Sequence, residues 1–134
     1  MCTNPTPLEV FRVGRLKVRT YASRSDLGVA AAHAVAAQVR ALLQRQGSVR
    51  IIFAAAPSQN EFLAELGSLP NLDWSRVTAF HMDEYVGLGA DAPQSFARFL
   101  RERLFGQVRP GTVHYLDGLS RPETVCRHYS AVLA

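Results

Sequence analysis

The sequence predicts an α/β fold, a parallel sheet with helices on its faces, and three observations carry that prediction. Short apolar runs of strand length (residues 49–56, 76–82 and 112–116) alternate with longer segments whose apolar residues recur at helical spacing. The first run, VRIIFAAA, is nearly continuous in apolar character, as a strand covered on both faces requires. Turn-forming or charged residues close the runs: Pro57-Ser58 after the first, Asp83-Glu84-Tyr85 after the second. With 134 residues, 48% hydrophobic and 19% charged, the chain has the composition of one globular domain, or part of one, and excludes a disordered tail or a membrane span.

The elements follow in order. Residues 8–21 (LEVFRVGRLKVRTY) alternate apolar and polar positions around Gly14-Arg15, the pattern of a strand pair. Ser25 or Asp26 is then placed to cap a long helix, because Leu27, Ala30, Ala31, Ala34, Val35, Leu42 and Leu43 recur at helical spacing, and Gly47 supplies the stop. After the buried strand, Ser58 with Glu61 three residues on has the capping-box pattern for a helix through Phe62, Leu63 and Leu66. A proline-bounded loop leads to the second strand. Asp91, Pro93 and Gln94 form another helix-start pattern, and Phe96, Phe99, Leu100, Leu104 and Phe105 make an apolar stripe ending at Gly106. A third strand follows Pro110-Gly111. The last helix starts at Ser120, Pro122 and Glu123 and runs to Ala134 with no stop signal. No internal repeat or low-complexity tract interrupts the series.

Charge and cysteine usage exclude several functions. Fifteen basic residues against eleven acidic ones give a net charge of +4, and all but Lys17 of the basic residues are arginines scattered along the chain. Without a basic run they read as solvated faces and local ion pairs rather than a nucleic-acid footprint. Cys2 and Cys126 are too few and too far apart for a disulfide framework or a zinc site, which fits a reducing cytoplasm. Cys126 reads as a core residue of the last helix. Prolines and charges near the N-terminus replace the apolar stretch of a secretory signal.

In an open parallel sheet, ligands bind beyond the carboxyl ends of the strands. Two loops lie there. Pro57, Ser58, Gln59 and Asn60 join the first strand to a helix N-terminus, where free backbone N–H groups and the Ser58 hydroxyl can hold a phosphate; the plainer role for Ser58 is to cap its helix. Neither glycine-rich phosphate fingerprint, GxGxxG or GxxxxGK[ST], is present. The second loop, FHMDEYVGL, releases two carboxylates from an apolar strand, and side-chain alternation sends Asp83 and Glu84 to opposite sides. One can face the crevice as a general base while the other anchors the loop through hydrogen bonds. Gly87 and Gly89 give this loop freedom to close. His81 is either a proton shuttle or, more in keeping with its place in a strand, a satisfied and partly buried imidazole. His33 falls in the first helix and His114 in the last strand, and no histidine pair has metal-ligand spacing. Phe96, Phe99 and Phe105 read as core.

The stretches FHMDEYVGL and APQSFARFLRERLF resemble the glucosamine-6-phosphate deaminase (isomerase) family, related to the 6-phosphogluconolactonases. The likeness runs from the first long helix to the Cys-Arg-His-Tyr segment, and Tyr85-Val86-Gly87-Leu88 favours the deaminase branch, since the lactonases usually carry an arginine after the Asp-Glu pair. The resemblance implies a Rossmann-like fold and conversion of glucosamine 6-phosphate to fructose 6-phosphate with release of ammonia. It makes Asp83 the base that moves a proton between C2 and C1, with Pro57, Ser58, Gln59, Asn60, Glu84 and Tyr85 as substrate-binding positions. No metal or organic cofactor is implied, and no nucleic-acid or membrane partner; the ligand is a phosphorylated amino sugar. It leaves room for a homo-oligomer in the full-length protein.

Two departures accompany the resemblance. The family's Gly- and Thr-rich phosphate loop is replaced by Ala-Ala-Pro-Ser-Gln-Asn, so Ser58, Gln59 and the helix N-terminus would supply the donors. The family's later Asp-x-His motif and ring-opening glutamate lie beyond Ala134, and its members are about twice as long. Residues 1–134 therefore read as the N-terminal part of a single domain, an incomplete Rossmann-like sheet that is inactive or nearly so alone. A lactonase-like or other phosphosugar enzyme and a non-catalytic sugar-phosphate sensor are the competing readings.

Overall fold

A computed structural model describes residues 3–134; Cys2 lies outside the described residues. The chain opens with an antiparallel hairpin, β1 (Glu9–Val13) and β2 (Leu16–Thr20), in which Phe11 faces Val18 and Val13 faces Leu16. Gly14 takes the two-residue turn at φ +59°, a conformation that costs glycine little. The expected strand pair is present.

Helix α1 (Arg24–Leu43) starts two or three residues earlier than the sequence expectation. Ser23 caps it, not Ser25 or Asp26: the Ser23 Oγ accepts the Asp26 backbone N–H at 3.1 Å and donates to the Asp26 carboxylate at 2.8 Å. The hydroxyl thus satisfies one open N–H of the first turn while the Asp26 carboxylate accepts its proton, a cap worth about 1 kcal/mol. The far end stops at Leu43, ahead of Gly47. There the Arg76 guanidinium gathers the carbonyls of Leu43, Gln46 and Gly47 at 2.9, 2.7 and 2.7 Å, satisfying acceptors that the helix itself leaves open.

Three parallel strands form the sheet in the order β3 (Val49–Phe53), β4 (Val77–His81), β5 (Thr112–His114), with Phe53 beside His81 and Phe80 beside His114. One face carries the main core. Ala32 and Ala36 of α1, Leu63 and Leu66 of α2 (Asn60–Ser68), and Leu100, Leu104 and Phe105 pack there against Phe53 and Ala79. The four leucines are essentially sealed from solvent, each contributing about 1.5–3 kcal/mol by burial.

The opposite face receives α5 (Pro122–Leu133). Tyr129 of that helix stands edge-on to Phe80, ring centroids 5.9 Å apart. Helices thus lie on both faces of a Rossmann-like sheet, but unequally. Contrary to the expectation for residues 49–56, β3 is buried on one face only: Arg50 and Ile52 are exposed on the α5 side, Ile52 by 52%. Cys126 is likewise exposed on α5 and does not join the core.

The capping box at Ser58 is also absent. Pro57–Gln59 form a single 3₁₀ turn whose start has no side-chain cap, and α2 continues from it at Asn60 without one. The next helix, α3 (Phe96–Leu100), is capped by Ser95 rather than by Asp91 or Gln94. It widens into a π-helical turn (Arg101–Phe105), passes through the expected stop at Gly106 as α4 (Gly106–Val108), and ends where Arg109 turns left-handed at φ +52°.

Candidate active site

Both segments singled out in the sequence lie at the carboxyl end of the sheet. The Met82 N–H bonds the Phe53 carbonyl at 3.1 Å, carrying the β3–β4 pairing one residue past β4, and Asp83 follows directly. As alternation requires, Asp83 and Glu84 part company there. Asp83 is exposed. Glu84 turns inward, its side chain only 3% accessible.

Glu84 is fully committed to the protein. Its Oε1 accepts the backbone N–H groups of Tyr85 and Phe96 at 3.0 and 3.1 Å, and its Oε2 accepts the Ala97 N–H at 3.0 Å and the Ser95 hydroxyl at 2.8 Å. Burial alone would raise this carboxyl, but the bonds from Ala97, Ser95, Tyr85 and Phe96 together hold it below the usual glutamate range. The residue anchors the loop to the start of α3, and this geometry leaves no oxygen for a ligand, in contrast to its expected place among the substrate-binding positions.

Tyr85 stands on the rim, 52% exposed, with its ring tilted over Phe96 at 4.8 Å between centroids. The loop that follows is pinned rather than free to close: the Gly87 N–H donates to the Gly118 carbonyl at 2.6 Å. Gly118 had no signal in the sequence. A Cβ there would collide with the carbonyl oxygens of Leu88 and Tyr85, so only glycine lets the β5–α5 connection lie this close to the Asp83 loop. Ser95, buried at 1% exposure, and Leu116 were missed for the same reason, since ordinary residue types reveal nothing until the fold brings them to Glu84 and His81.

The phosphate-loop candidates sit one strand away. Ser58 and Gln59 line a cleft of about 410 Å³ whose other wall is α1, at Arg24, Leu27 and Gly28; Asp83 contributes nothing to it. Arg24 is the one cation there among the described residues, and it is held by the Glu61 carboxylate at 2.9 Å and the Pro57 carbonyl at 3.1 Å. That bond from Arg24 keeps the Glu61 carboxyl below its ordinary range. Asn60 Oδ1 is buried with no partner in the structure. Thus Asp83 and the 57–60 segment share an end of the sheet, while the Ser58 and Gln59 side chains open toward α1.

His81 is wholly buried, further in than the partly buried imidazole expected. Its Nδ1 accepts the Leu116 N–H at 3.3 Å and its Nε2 lies 3.7 Å from Glu84 Oε2. Burial pushes it down against the pull of the Glu84 and Asp83 charges. Among the described residues, no group of three or more His, Cys, Asp or Glu side chains is placed to hold a metal ion, and no helix is long and apolar enough to cross a membrane.

Residues 22–134 match the model of the family described as glucosamine-6-phosphate isomerases/6-phosphogluconolactonase. The chain belongs to that family. Among curated members, glucosamine-6-phosphate deaminase 2 of Giardia intestinalis is 42% identical over 74 residues, 53% of this chain and 28% of the relative. Two solved family structures superpose on most of the chain. A monomeric glucosamine-6-phosphate deaminase has a TM-score of 0.73 at 22% identity, covering 83% of this chain and 47% of its own. A 6-phosphogluconolactonase from Shewanella baltica has a TM-score of 0.75 at 22% identity, covering 85% and 49%. At that identity the two structures establish the isomerase/lactonase fold and nothing finer. The chain spans about half the length of these family members.

Proposed function

We propose that this chain forms the part of an amino-sugar-phosphate deaminase that carries the proton-transfer base, with Asp83 as that base and glucosamine 6-phosphate as substrate of the full-length protein. The observation that carries the reading is the division of labour at the end of β4. Glu84 has both oxygens bonded by the protein, whereas Asp83 is exposed, and no donor among the described residues is hydrogen-bonded to its carboxylate. Family membership and curated relatives that bear the name of this deaminase support the choice.

The proton transfer needs a carboxylate, and the deamination needs water. Asp83 takes the proton from C2 of the open-chain amino sugar as the C2–H electron pair forms the C1–C2 double bond; the C1 carbonyl π pair moves to O1, which takes a proton delivered by water, and an enolamine results. The protonated carboxyl then returns the proton to C1, and the resulting C2 imine adds water and expels ammonia, leaving fructose 6-phosphate. A carboxylic acid that keeps its proton through the short-lived enolamine suits both steps. The net consumption of water makes the overall reaction a hydrolysis. In this reading the 57–60 segment supplies phosphate donors through Ser58, Gln59 and the backbone, Tyr85 closes the rim, and the enzyme works in the cytoplasm.

Ammonia release from glucosamine 6-phosphate by the complete gene product is the test. Asp83→Asn is expected to lower turnover by about 10²–10⁴-fold while changing stability by less than about 0.5 kcal/mol, because the side chain is exposed. Unchanged turnover refutes the assignment of Asp83. The likeness to a 6-phosphogluconolactonase structure motivates a second substrate in the same assay. Hydrolysis of 6-phosphogluconolactone without ammonia release replaces the deaminase reading by the lactonase one, and phosphosugar binding with neither reaction points to a sensor.

A further inference from the structure

Asp83 lies between two residues that are both buried, and they are buried differently. Glu84 has four donors. His81, the last residue of β4, has one good partner on its ring, one on its backbone and one group left over. Its Nδ1 receives the Leu116 N–H from the β5–α5 connection, so the lone pair is there and the ring proton is on Nε2. Its carbonyl receives the Tyr129 hydroxyl from α5 at 2.6 Å. The Nε2 is buried without a hydrogen bond, 3.7 Å from Glu84 Oε2.

We infer that His81 is a positioning residue for Asp83: a neutral imidazole protonated on Nε2 whose Nδ1 ties the end of β4 to the β5–α5 connection, fixing the strand end from which the Met82–Asp83 step departs. This rests on the reading of Asp83 as the base. The groups facing His81 are the carboxylates of Glu84 and Asp83 from its own loop, the Tyr115 ring beyond β5, at 5.8 Å between centroids, and the Tyr129 hydroxyl from α5 on its carbonyl. An imidazolium would place a second N–H at Nδ1, donor against donor with Leu116, and would break the tie. Neutrality is therefore required by the geometry. A phenylalanine would fill the same space and set its ring edge-on to Tyr115, but it would take away the acceptor of the Leu116 N–H, so packing alone does not account for a histidine.

The test combines histidine-selective ¹⁵N spectra, amide exchange and kinetics on the complete gene product, with His81→Phe keeping the ring and His81→Gln keeping a donor. The expected parent spectrum shows His81 as the neutral Nε2–H tautomer at neutral pH. In His81→Phe the amides of Leu116, Met82 and Asp83 exchange at least about tenfold faster, and kcat falls about tenfold with KM nearly unchanged. His81→Gln recovers part of both losses. A protonated Nδ1, or exchange and kcat of His81→Phe equal to the parent's, overturns the inference. Should the parent release no ammonia, the deaminase reading fails separately, and the tautomer with the Met82 and Asp83 exchange rates still decides whether His81 orders this step. If His81→Phe does not fold, the same comparison between parent and His81→Gln applies, with a smaller expected loss.

Discussion

Replacing Glu84 by glutamine removes one negative charge and almost no volume, so its effect isolates the anchor. In the parent, three backbone N–H groups and the Ser95 hydroxyl point at two carboxylate oxygens from 2.8 to 3.1 Å. A glutamine must turn its NH₂ toward either the Tyr85 and Phe96 pair or the Ser95 and Ala97 pair. The second is the milder choice, because the hydroxyl can rotate and accept, but the Ala97 N–H is then left facing a donor. Bonds to a charged acceptor are worth about 1.5–3 kcal/mol and neutral ones about 1, so losing one bond and weakening the rest costs about 3–4 kcal/mol. At roughly 2.1 cal/mol/K of unfolding entropy per residue, that lowers the midpoint of a chain this size by about 11–14 °C.

Urea and thermal unfolding of parent and Glu84→Gln measure the difference, and its pH dependence supplies a second check. The folded Glu84 carboxyl lies below its ordinary value. Its contribution is therefore complete above about pH 4.5 and is lost as the pH falls through the folded value. The gap between the two proteins should narrow in that acid range and stay flat above it. A loss under about 1 kcal/mol at neutral pH, with the Phe96 and Ala97 amides still protected, would show that α3 does not depend on this carboxylate.

Three further perturbations probe the supports of the site and the fold. Gly118→Ala pushes a methyl into the Leu88 and Tyr85 carbonyls, and should cost about 2 kcal/mol or more with faster exchange of the Gly87 amide. Tyr129→Phe takes a donor from the carbonyls of both His81 and His114, at 2.6 and 3.1 Å, for an expected loss of about 1–2 kcal/mol in urea unfolding. Arg76→Ala leaves three carbonyls at the end of α1 without their charged donor; a loss of about 2 kcal/mol with fraying of residues 40–43 in amide exchange is expected, and an unchanged exchange pattern counts against that cap.

The fold class and the order of elements were legible because strand runs and helical stripes are periodic and each covers several residues. Element ends were less so, and for a consistent reason. Ser25, Asp26, Ser58 and Asp91 are all suitable caps by residue type, yet α1 uses Ser23 and α3 uses Ser95. The choice is made by partners distant in sequence: Arg76 closes α1, and Glu84 gathers the first amides of α3. The continuous apolar run at β3 overstated its burial, because nothing local distinguishes the face met by three helices from the face met by α5. Arg50 shows how the open side is managed, its guanidinium lying over Phe80 at 5.1 Å and donating to the Val132 carbonyl. At the site, alternation alone separated Asp83 from Glu84. The hollow of about 90 Å³ between the Asp83 loop and the β5–α5 connection depended on Gly118, which no residue pattern marks.

The wide turn at Arg101–Phe105 has a consequence for which length changes the chain can absorb. A helix of regular pitch would carry Phe105, five residues on, about 140° around the axis from Leu100, whereas the wider turn leaves Leu100, Leu104 and Phe105 all buried. That shared orientation brings the Phe105 ring edge-on to Phe53, centroids 5.3 Å apart, and within 6.3 Å of Tyr115. Deleting a single residue from this stretch would restore an ordinary spiral with the aromatic ring four residues after Leu100 and so on the same face, whereas inserting another would swing it away from the sheet. Natural variants are therefore expected to lose the extra residue of this turn more readily than to gain a second one.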